Sequence, residues 1–523
     1  MIRFALASLL LAVTMACTPS RTTPTVPVPT PPSRSRAVPT ADELRRDLAI
    51  FASDSFRGRE AGTADERRAA RFLADRLAAI GVEPAGDSGF YQRVPLVGRR
   101  LTEATRFTIT GPSGQTVVTP GEQLVPLTSF GPGAPLPRNT ADGDLVFAGY
   151  GLTRPDLGRN DFAGLNAQGK VVVVVISAPA GVDDATRSSL ESEGAIGDRL
   201  FRIASLRPAA IIFLLTGKAG QNLALGLPDM LRSMSQRGDA MDPPDSLRTL
   251  PMVLLGRLEL NRALLPAGWP GDDRAQLLTG RRFSGRVEQR VQEITSYNIV
   301  GIVRGIDPAL RGNYVAYGAH YDHLGILPTE NGDSIANGAD DDGSGSMALL
   351  AIARTFTVST PRPRRSILFV WHSAEEKGLL GSEYFSTHST VPMASIVGQI
   401  NADMIGRNGG DTVFVVGPSA APNGQSRRIG AIVDSVNASM ARPLVFDRTW
   451  DDPEHPEHIY ERSDHYSYAR QGVPVVFLTG PLHGDYHRVT DDAARVNYDS
   501  LARIASLLYE AGLAMANASR PPR

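Results

Sequence analysis

Three consecutive carboxylates, Asp340, Asp341 and Asp342, lie between an apolar strand and an apolar helix, and this stretch constrains the fold most. The run Tyr314 to Ala319 reads as a buried strand that delivers His320 at its end, with Asp322 two residues on. A short excursion follows, then Asn337-Gly-Ala-Asp-Asp-Asp-Gly-Ser-Gly345 and a helical run, Met347 to Phe356, with Leu349, Ile352, Ala353 and Phe356 on one face. Adjacent carboxylates repel and are costly to dehydrate. A multivalent cation beside them removes that cost. Gly318 to Gly345 therefore reads as half of a metal site, with the other half expected downstream.

From about Thr295 onward, strands alternate with helices. Ser366 to Trp371, Ile396 to Ile400, Val413 to Val416 and Val473 to Leu478 read as strands; Ser426 to Met440 and Ala493 to Met515 read as helices. This rhythm predicts an α/β fold, a three-layer α/β/α sandwich around a mixed, mostly parallel sheet. Ligands in such folds gather at the carboxyl ends of strands. The suggestive residues fall at those ends. Glu375 and Glu376 follow Trp371-His372-Ser373, Asp403 sits in Asn401-Ala-Asp-Met-Ile-Gly406, and His487 sits in Asp485-Tyr-His-Arg-Val-Thr-Asp491. Two histidines and at least three carboxylates suffice for two zinc ions that share a carboxylate.

These motifs, in this order, resemble the co-catalytic dizinc exopeptidases that include exported bacterial aminopeptidases and glutamate carboxypeptidase II. The resemblance covers about Thr295 to Ala516 and, more loosely, Thr40 to Pro84. It implies two Zn²⁺ per chain: His320 and Asp403 on one, Glu376 and His487 on the other, Asp341 bridging, and a cis peptide between Asp341 and Asp342. It implies peptide hydrolysis from the N-terminus by a bridging hydroxide, with Glu375 as general base, since Glu375 neighbours a ligand without being needed as one. Tyr486 is a candidate oxyanion donor. Asp322 and Asp491 are expected to hold the His320 and His487 rings. Arg462, Ser463, Asp464 and His465 resemble the family's Ser-Asp-His segment near the site, which implies that they either support the ligands or contact substrate. Asp340 is expected to be exposed or hydrogen-bonded. His323, His372, His388, His455, His458 and His483 match no family position and are expected to be surface or structural residues, and Asp447 to His458 to form a loop rimming the site.

Other readings of the same scaffold stay open. A carboxypeptidase or dipeptidase would need cations for a substrate carboxylate, which Arg407 and Arg462 could supply. Glutaminyl cyclases share the fold but use one zinc and lack the first histidine, so His320 argues against them. A non-catalytic binding protein would have lost ligands that are all present here.

The 523 residues leave room for further domains. Residues 40–100 carry two capping boxes, Thr40-Ala-Asp-Glu43 and Thr63-Ala-Asp-Glu66, and read as a helical part of the peptidase domain. Between their helices lies a polar loop, Ser53 to Gly62. Residues 101–292 carry alternating segments and two buried runs, Lys170 to Ile176 and Ala209 to Leu215, with a helix expected over Glu193 to Leu206. This is a β-rich insert, resembling a protease-associated domain, and residues 293–523 form the catalytic domain. Residues 1–17 combine a basic start, an apolar run from Phe4 to Val13 and Ala16-Cys17, which resembles a bacterial lipoprotein leader. Residues 18–39 are a Pro/Thr/Ser-rich linker. The expectation is export to the cell envelope or beyond, with Cys17 either lipidated and membrane-attached or lost on cleavage. Cys17 is the only cysteine, so no intrachain disulfide forms, and a net charge of -1 gives no general attraction to nucleic acid.

Overall fold

The computed structural model describes residues 38–121, 123–126, 138–215, 235–237, 251–360, 362–455 and 457–523. The leader, Cys17 and the linker as far as residue 37 lie outside the described residues. The main sheet has ten strands. Eight of them carry the argument: β1 (Tyr91–Leu101), β2 (Gln289–Val303), β3 (Tyr314–His320), β4 (Ser366–His372), β5 (Ile396–Ala402), β6 (Thr412–Val416), β7 (Val445–Asp447) and β8 (Val475–Thr479). Their order is β1-β2-β4-β3-β5-β8-β6-β7. The centre, β4-β3-β5-β8, is parallel throughout, whereas β1, β2 and β6 pair antiparallel with their inner neighbours. The fold is α/β with a mixed sheet whose parallel strands are concentrated at the middle.

Every residue of β3, β4 and β5 is buried, as expected of strands covered on both faces. Val315, Tyr317 and Ala319 turn to one face, where they pack with the helices Ala41–Phe51, Ala64–Ala79, Gly345–Val358 and Tyr498–Asn517. Tyr314 and Ala316 turn to the other, with Phe385 and Tyr468 from the short helices Leu380–Thr387 and His465–Ala469. Phe369 stacks between Tyr317 and Trp371 at centroid distances of 5.2 and 6.0 Å. Truncating such a ring costs about 3–5 kcal/mol. The Trp371 indole also donates to Ser346 O at 3.0 Å, tying β4 to the first turn of the helix after the triple aspartate.

The insert has its own eight-stranded sheet, running from Arg106–Gly111 to Gln276–Arg286, with Val171–Ile176 and Ala210–Leu215 as parallel inner strands. Alternate valines of the first inner strand feed two cores, and the helix Glu193–Ser205 covers one of them. The insert leaves the main sheet through β1 and returns through β2, which pair from Tyr91↔Ile299 to Leu101↔Gln289. The helical reading of residues 40–100 thus omits a strand. Pro95 and Gly98 interrupt its pattern, and neither residue favours a strand interior. The expected helix from Ala493 is also shorter: Ala493–Arg495 is a single turn, and the helix Tyr498–Asn517 begins after Asn497, whose side chain accepts from Ser500 N at 3.2 Å.

Candidate metal centre

His320 closes β3, Glu375 and Glu376 follow β4, Asp403 directly follows β5, and His487 lies on the loop after β8. All emerge at the carboxyl ends of the parallel strands. Asp341 comes from the turn before the helix Gly345–Val358, and the Asp341–Asp342 peptide is cis.

The side chains converge on Asp341. His320 Nε2 lies 3.1 Å from Asp341 Oδ1 and 3.5 Å from Asp403 Oδ1. His487 Nε2 lies 3.2 Å from Asp341 Oδ2 and 3.1 Å from Glu376 Oε2. Two ligand atoms each about 2.0 Å from one tetrahedral ion stand about 3.3 Å apart. The four separations are therefore those of ligand edges, in two sets that share one carboxylate. Asp341 Oδ2 and Asp403 Oδ1 are buried and accept no hydrogen bond among the described residues. A buried ionised oxygen without a donor is costly, and a cation meets that cost. Imidazole and carboxylate together suit zinc. These five residues could hold two ions.

The electrostatics agree. Burial pulls the His320 imidazole down, but Glu375 and Asp403 outweigh it and hold its pKa well above the usual histidine value. At the half-exposed His487, Glu376 and Asp341 likewise prevail and the pKa rises to about 10. Burial raises Asp341, yet the imidazoles of His320 and His487 beside its two oxygens take it well below the carboxylate range. Burial and Asp341 push Glu376 up, but His487 and His323 bring it down to about 2. Glu375 goes the other way: burial, then Asp403 and Glu376, overcome the pull of His320 and hold its carboxyl well above the carboxylate range. Its Oε2 stands 3.9 Å from His320 Nε2, beside the cluster rather than in it.

The turns that carry these side chains are strained. Ala374, Met404 and His487 all have left-handed φ, 54°, 57° and 58°. Such residues cost roughly 1–3 kcal/mol each and persist where surroundings enforce them.

Supporting contacts differ in part from expectation. The Asp322 carboxylate is 3.9 Å from His320 Nδ1; the closer partner, at 3.1 Å, is the Asp322 carbonyl. The carboxylate accepts instead from Glu375 N at 3.1 Å. Asp491 does not hold His487. It accepts from the backbone N–H groups of Asp340 and Asp341, at 2.9 and 3.1 Å, because the chain between Asp340 and the 480–491 loop closes there. Burial, then the Asp340 charge, raises its pKa to about 6. Asp342 accepts from His320 N, Gly345 N and Met404 N at 3.2, 2.8 and 3.2 Å, bracketing three segments. Asp340 is fully buried and accepts from Gly406 N at 2.6 Å, with His483 Nε2 at 3.0 Å.

A cleft opens on the cluster, lined by Asp341, Glu375, Asp403, Tyr486 and His487 on its polar side. Met404, Trp450, Ile459, Phe477 and Leu482 form an apolar side, with Arg462 at hand. Trp450 belongs to the expected rim segment 447–458. Tyr486 stacks on His487 with centroids 3.8 Å apart. Asp464 and His465 are not substrate contacts: both are fully buried and absent from the lining. Asp464 faces His372 Nδ1 at 3.1 Å, and His465 stacks on Phe477 at 4.5 Å.

Residues 298–512 match peptidase family M28. This segment is similar to M28 peptidase domains. Leucine aminopeptidase 1 of Trichophyton rubrum is 26% identical over 238 residues, which are 43% of this chain and 60% of that protein. Leucine aminopeptidase 1 of Penicillium rubens is 32% identical over 181 residues, 33% of this chain and 43% of that protein. The chain thus spans 60% or less of these relatives' length. The solved aminopeptidase of Aneurinibacillus sp. strain AM-1 superposes with a TM-score of 0.56 at 16% identity, covering 92% of this chain and 95% of that one. A zinc aminopeptidase of Bacillus subtilis gives 0.53 at 17%, covering 91% and 95%. At these identities the structural likeness is one of fold.

Two residues outside the M28 segment reach its site, and neither was expected there. Arg59, from the loop Ser53–Gly62, is completely buried. Its guanidinium donates to the carbonyls of Tyr321, Asn337 and Gly338 at 2.8, 2.7 and 2.9 Å, gripping both ends of the excursion between His320 and Asp340. Burial lowers its pKa to about 10 against the pull of Asp322, Asp491, Asp341 and Asp342, so it stays charged at neutral pH and offsets those carboxylates. Glu66, read as a helix cap, is also fully buried. It accepts from Gly62 N at 2.7 Å and Tyr321 OH at 2.8 Å, and from the hydroxyls of Ser296 and Ser373. The only local signal was a charge among polar neighbours, which surface loops and helix starts also show.

Proposed function

We propose that the chain is a zinc-dependent exopeptidase, an aminopeptidase, holding two zinc ions on His320, Asp341, Asp403, Glu376 and His487. The observation that carries this reading is Asp341, whose two oxygens stand 3.1 and 3.2 Å from two different imidazoles. Zinc at such a site polarises the scissile carbonyl and makes a water acidic enough to attack near neutral pH. Glu375 takes the proton of the attacking water and returns it to the leaving amine. Tyr486, facing the cleft beside His487, donates to the developing oxyanion. The carboxylates of Asp341, Glu375 and Asp403 favour a substrate carrying a positive α-amine. The apolar side of the cleft favours a Leu- or Phe-like side chain beside that amine.

The carboxypeptidase reading has less support. Arg407 is turned to Asp485 at 2.9 Å and does not line the cleft, while Arg462 pairs with Glu457 at 3.2 Å. A panel of chromogenic aminoacyl substrates, with N-acetylated counterparts and with chelator, tests the assignment. Turnover of free-amine Leu and Phe substrates that chelator abolishes is expected. Failure on every free-amine substrate would sink it.

Export through the leader is part of the same proposal, supported by the apolar run Phe4 to Val13 before Ala16-Cys17. No helix among the described residues is long and apolar enough to cross a membrane. Palmitate labelling distinguishes a lipidated, membrane-attached Cys17 from a leader that is removed. The insert is proposed to be protease-associated-like, on the strength of Gly149-Tyr-Gly151 and the valine strand after Gly169-Lys170.

A further inference from the structure

We infer that His323 is a positioning residue for Glu376: it donates Nδ1–H to Oε1 and so leaves Oε2 as the oxygen turned to the metal site. The inference rests on the two-zinc reading above. His323 is fully buried, with Nδ1 2.6 Å from Glu376 Oε1 and 3.9 Å from Asp341 Oδ2. The geometry separates a hydrogen-bond donor from a third ligand. Two atoms on one tetrahedral zinc stand about 3.3 Å apart. The four pairs described above lie between 3.1 and 3.5 Å. A separation of 2.6 Å is too short for a ligand edge and close to that of a charge-assisted N–H···O bond, about 2.7–2.9 Å. An ionised carboxylate only accepts, so the proton sits on Nδ1. Nε2 is buried without a partner among the described residues, and with the proton on Nδ1 no donor is left unmet.

The ring is closely packed against the Gly338 backbone. A Cβ built on Gly338 would fall 2.5 Å from His323 Cδ2 and Cγ, so the Gly338 backbone presses on the imidazole. Gly338 O is itself held by Arg59 Nη2 at 2.9 Å. The His487 ring lies 6.1 Å away, at 67°.

The other half of the site uses the same device. Ser463 Oγ donates to Asp403 Oδ2 at 2.7 Å, and Asp403 Oδ1 faces His320. In each half, one carboxylate oxygen is pinned by a buried donor and the other faces an imidazole. Ser463 does for Asp403 what His323 does for Glu376.

The test measures zinc binding by competition with a chromophoric chelator in the wild type, His323→Asn and His323→Leu. The Asn amide can place an N–H near the position of Nδ1, whereas Leu cannot donate. The wild type is expected to bind two ions. Leu should weaken one of them about 10–100-fold and leave the other unchanged; Asn should restore most of the loss. Wild-type affinity at both sites in the Leu variant overturns the inference, as does an Asn variant as weak as Leu. A wild type that binds fewer than two ions defeats the two-zinc reading before any substitution, and the inference with it. X-ray absorption of the zinc-loaded wild type does not depend on the variants folding. Two ligating imidazoles per pair of ions are expected, and three would make His323 a ligand and overturn the inference.

Discussion

The two halves of the site are chemically alike and structurally unlike. Each presents one imidazole, one private carboxylate and one oxygen of Asp341. The His320 half stands on strand ends: His320 closes β3 and is 1% exposed, and Asp403 directly follows β5. In the other half, Glu376 follows β4, but His487 rides on a loop well past β8 and its side chain is 38% exposed. That loop depends on side-chain clasps: His483 on Asp340, Asp485 on Arg407 at 2.9 Å, and Arg488 on Glu330 at 3.2 Å. In the His320 half the ligand positions are set by strand ends, with Ser463 pinning Asp403. The other half must be held by tertiary contacts, and it should be the half that yields first.

The largest expected effect erases the distinction. Asp341→Ala removes the carboxylate shared by both halves, so bound zinc should fall to none and activity with it. Elemental analysis after gel filtration measures this, and retention of both ions would refute the bridge. Next in size is Glu375→Gln, which should leave both halves filled and lower kcat about 10²–10⁴-fold. Unchanged turnover with full zinc occupancy would refute the proposal that Glu375 is the base.

What the sequence made legible follows from how local each signal is. The buried strands and the ligand-bearing turns announced themselves because apolar runs ended in His, Glu or Asp within a few residues. Contacts across long separations did not. Arg59 reaches Tyr321 across 262 positions and Glu66 reaches the same residue across 255, and nothing nearby in the chain marks the partner. Asp491 shows the opposite error. Its place four residues after His487 suggested a local pair, but its carboxylate satisfies the N–H groups of Asp340 and Asp341, about 150 positions away. His323 matches no family position, yet burial beside Glu376 gives it a partner. The strand β1 was hidden by Pro95 and Gly98, and only its pairing with β2 makes it a strand.

Chelation tests the contrast between the halves without any mutation. A stepwise titration should remove one ion clearly before the other, and the first to leave should be that on His487. Both ions leaving at one chelator concentration would break the comparison. The same titration carries a pH prediction. A bound metal displaces the imidazole proton, and neighbouring carboxylates, against the effect of burial, hold His320 well above the usual value and His487 at about 10. Below those pKa values each displaced proton makes apparent zinc affinity rise about tenfold per pH unit. Affinity should therefore keep climbing above pH 7, where an unperturbed histidine would already have levelled off.

The smallest effect asks whether the clasps matter individually. His483→Ala removes the partner of Asp340 while Gly406 N still donates to that carboxylate at 2.6 Å, so the buried charge keeps a donor. The loop loses one of its ties but not Asp485–Arg407 or Arg488–Glu330. Zinc in the His487 half should weaken by less than the tenfold expected from loss of a direct partner of a ligand. The His320 half should not respond at all, because its ligands hang from β3 and β5. Equal weakening of both ions would mean that the Asp340–His483 contact acts through Asp341 and not through the loop. The two halves would then be one mechanical unit, despite being built from different kinds of structure.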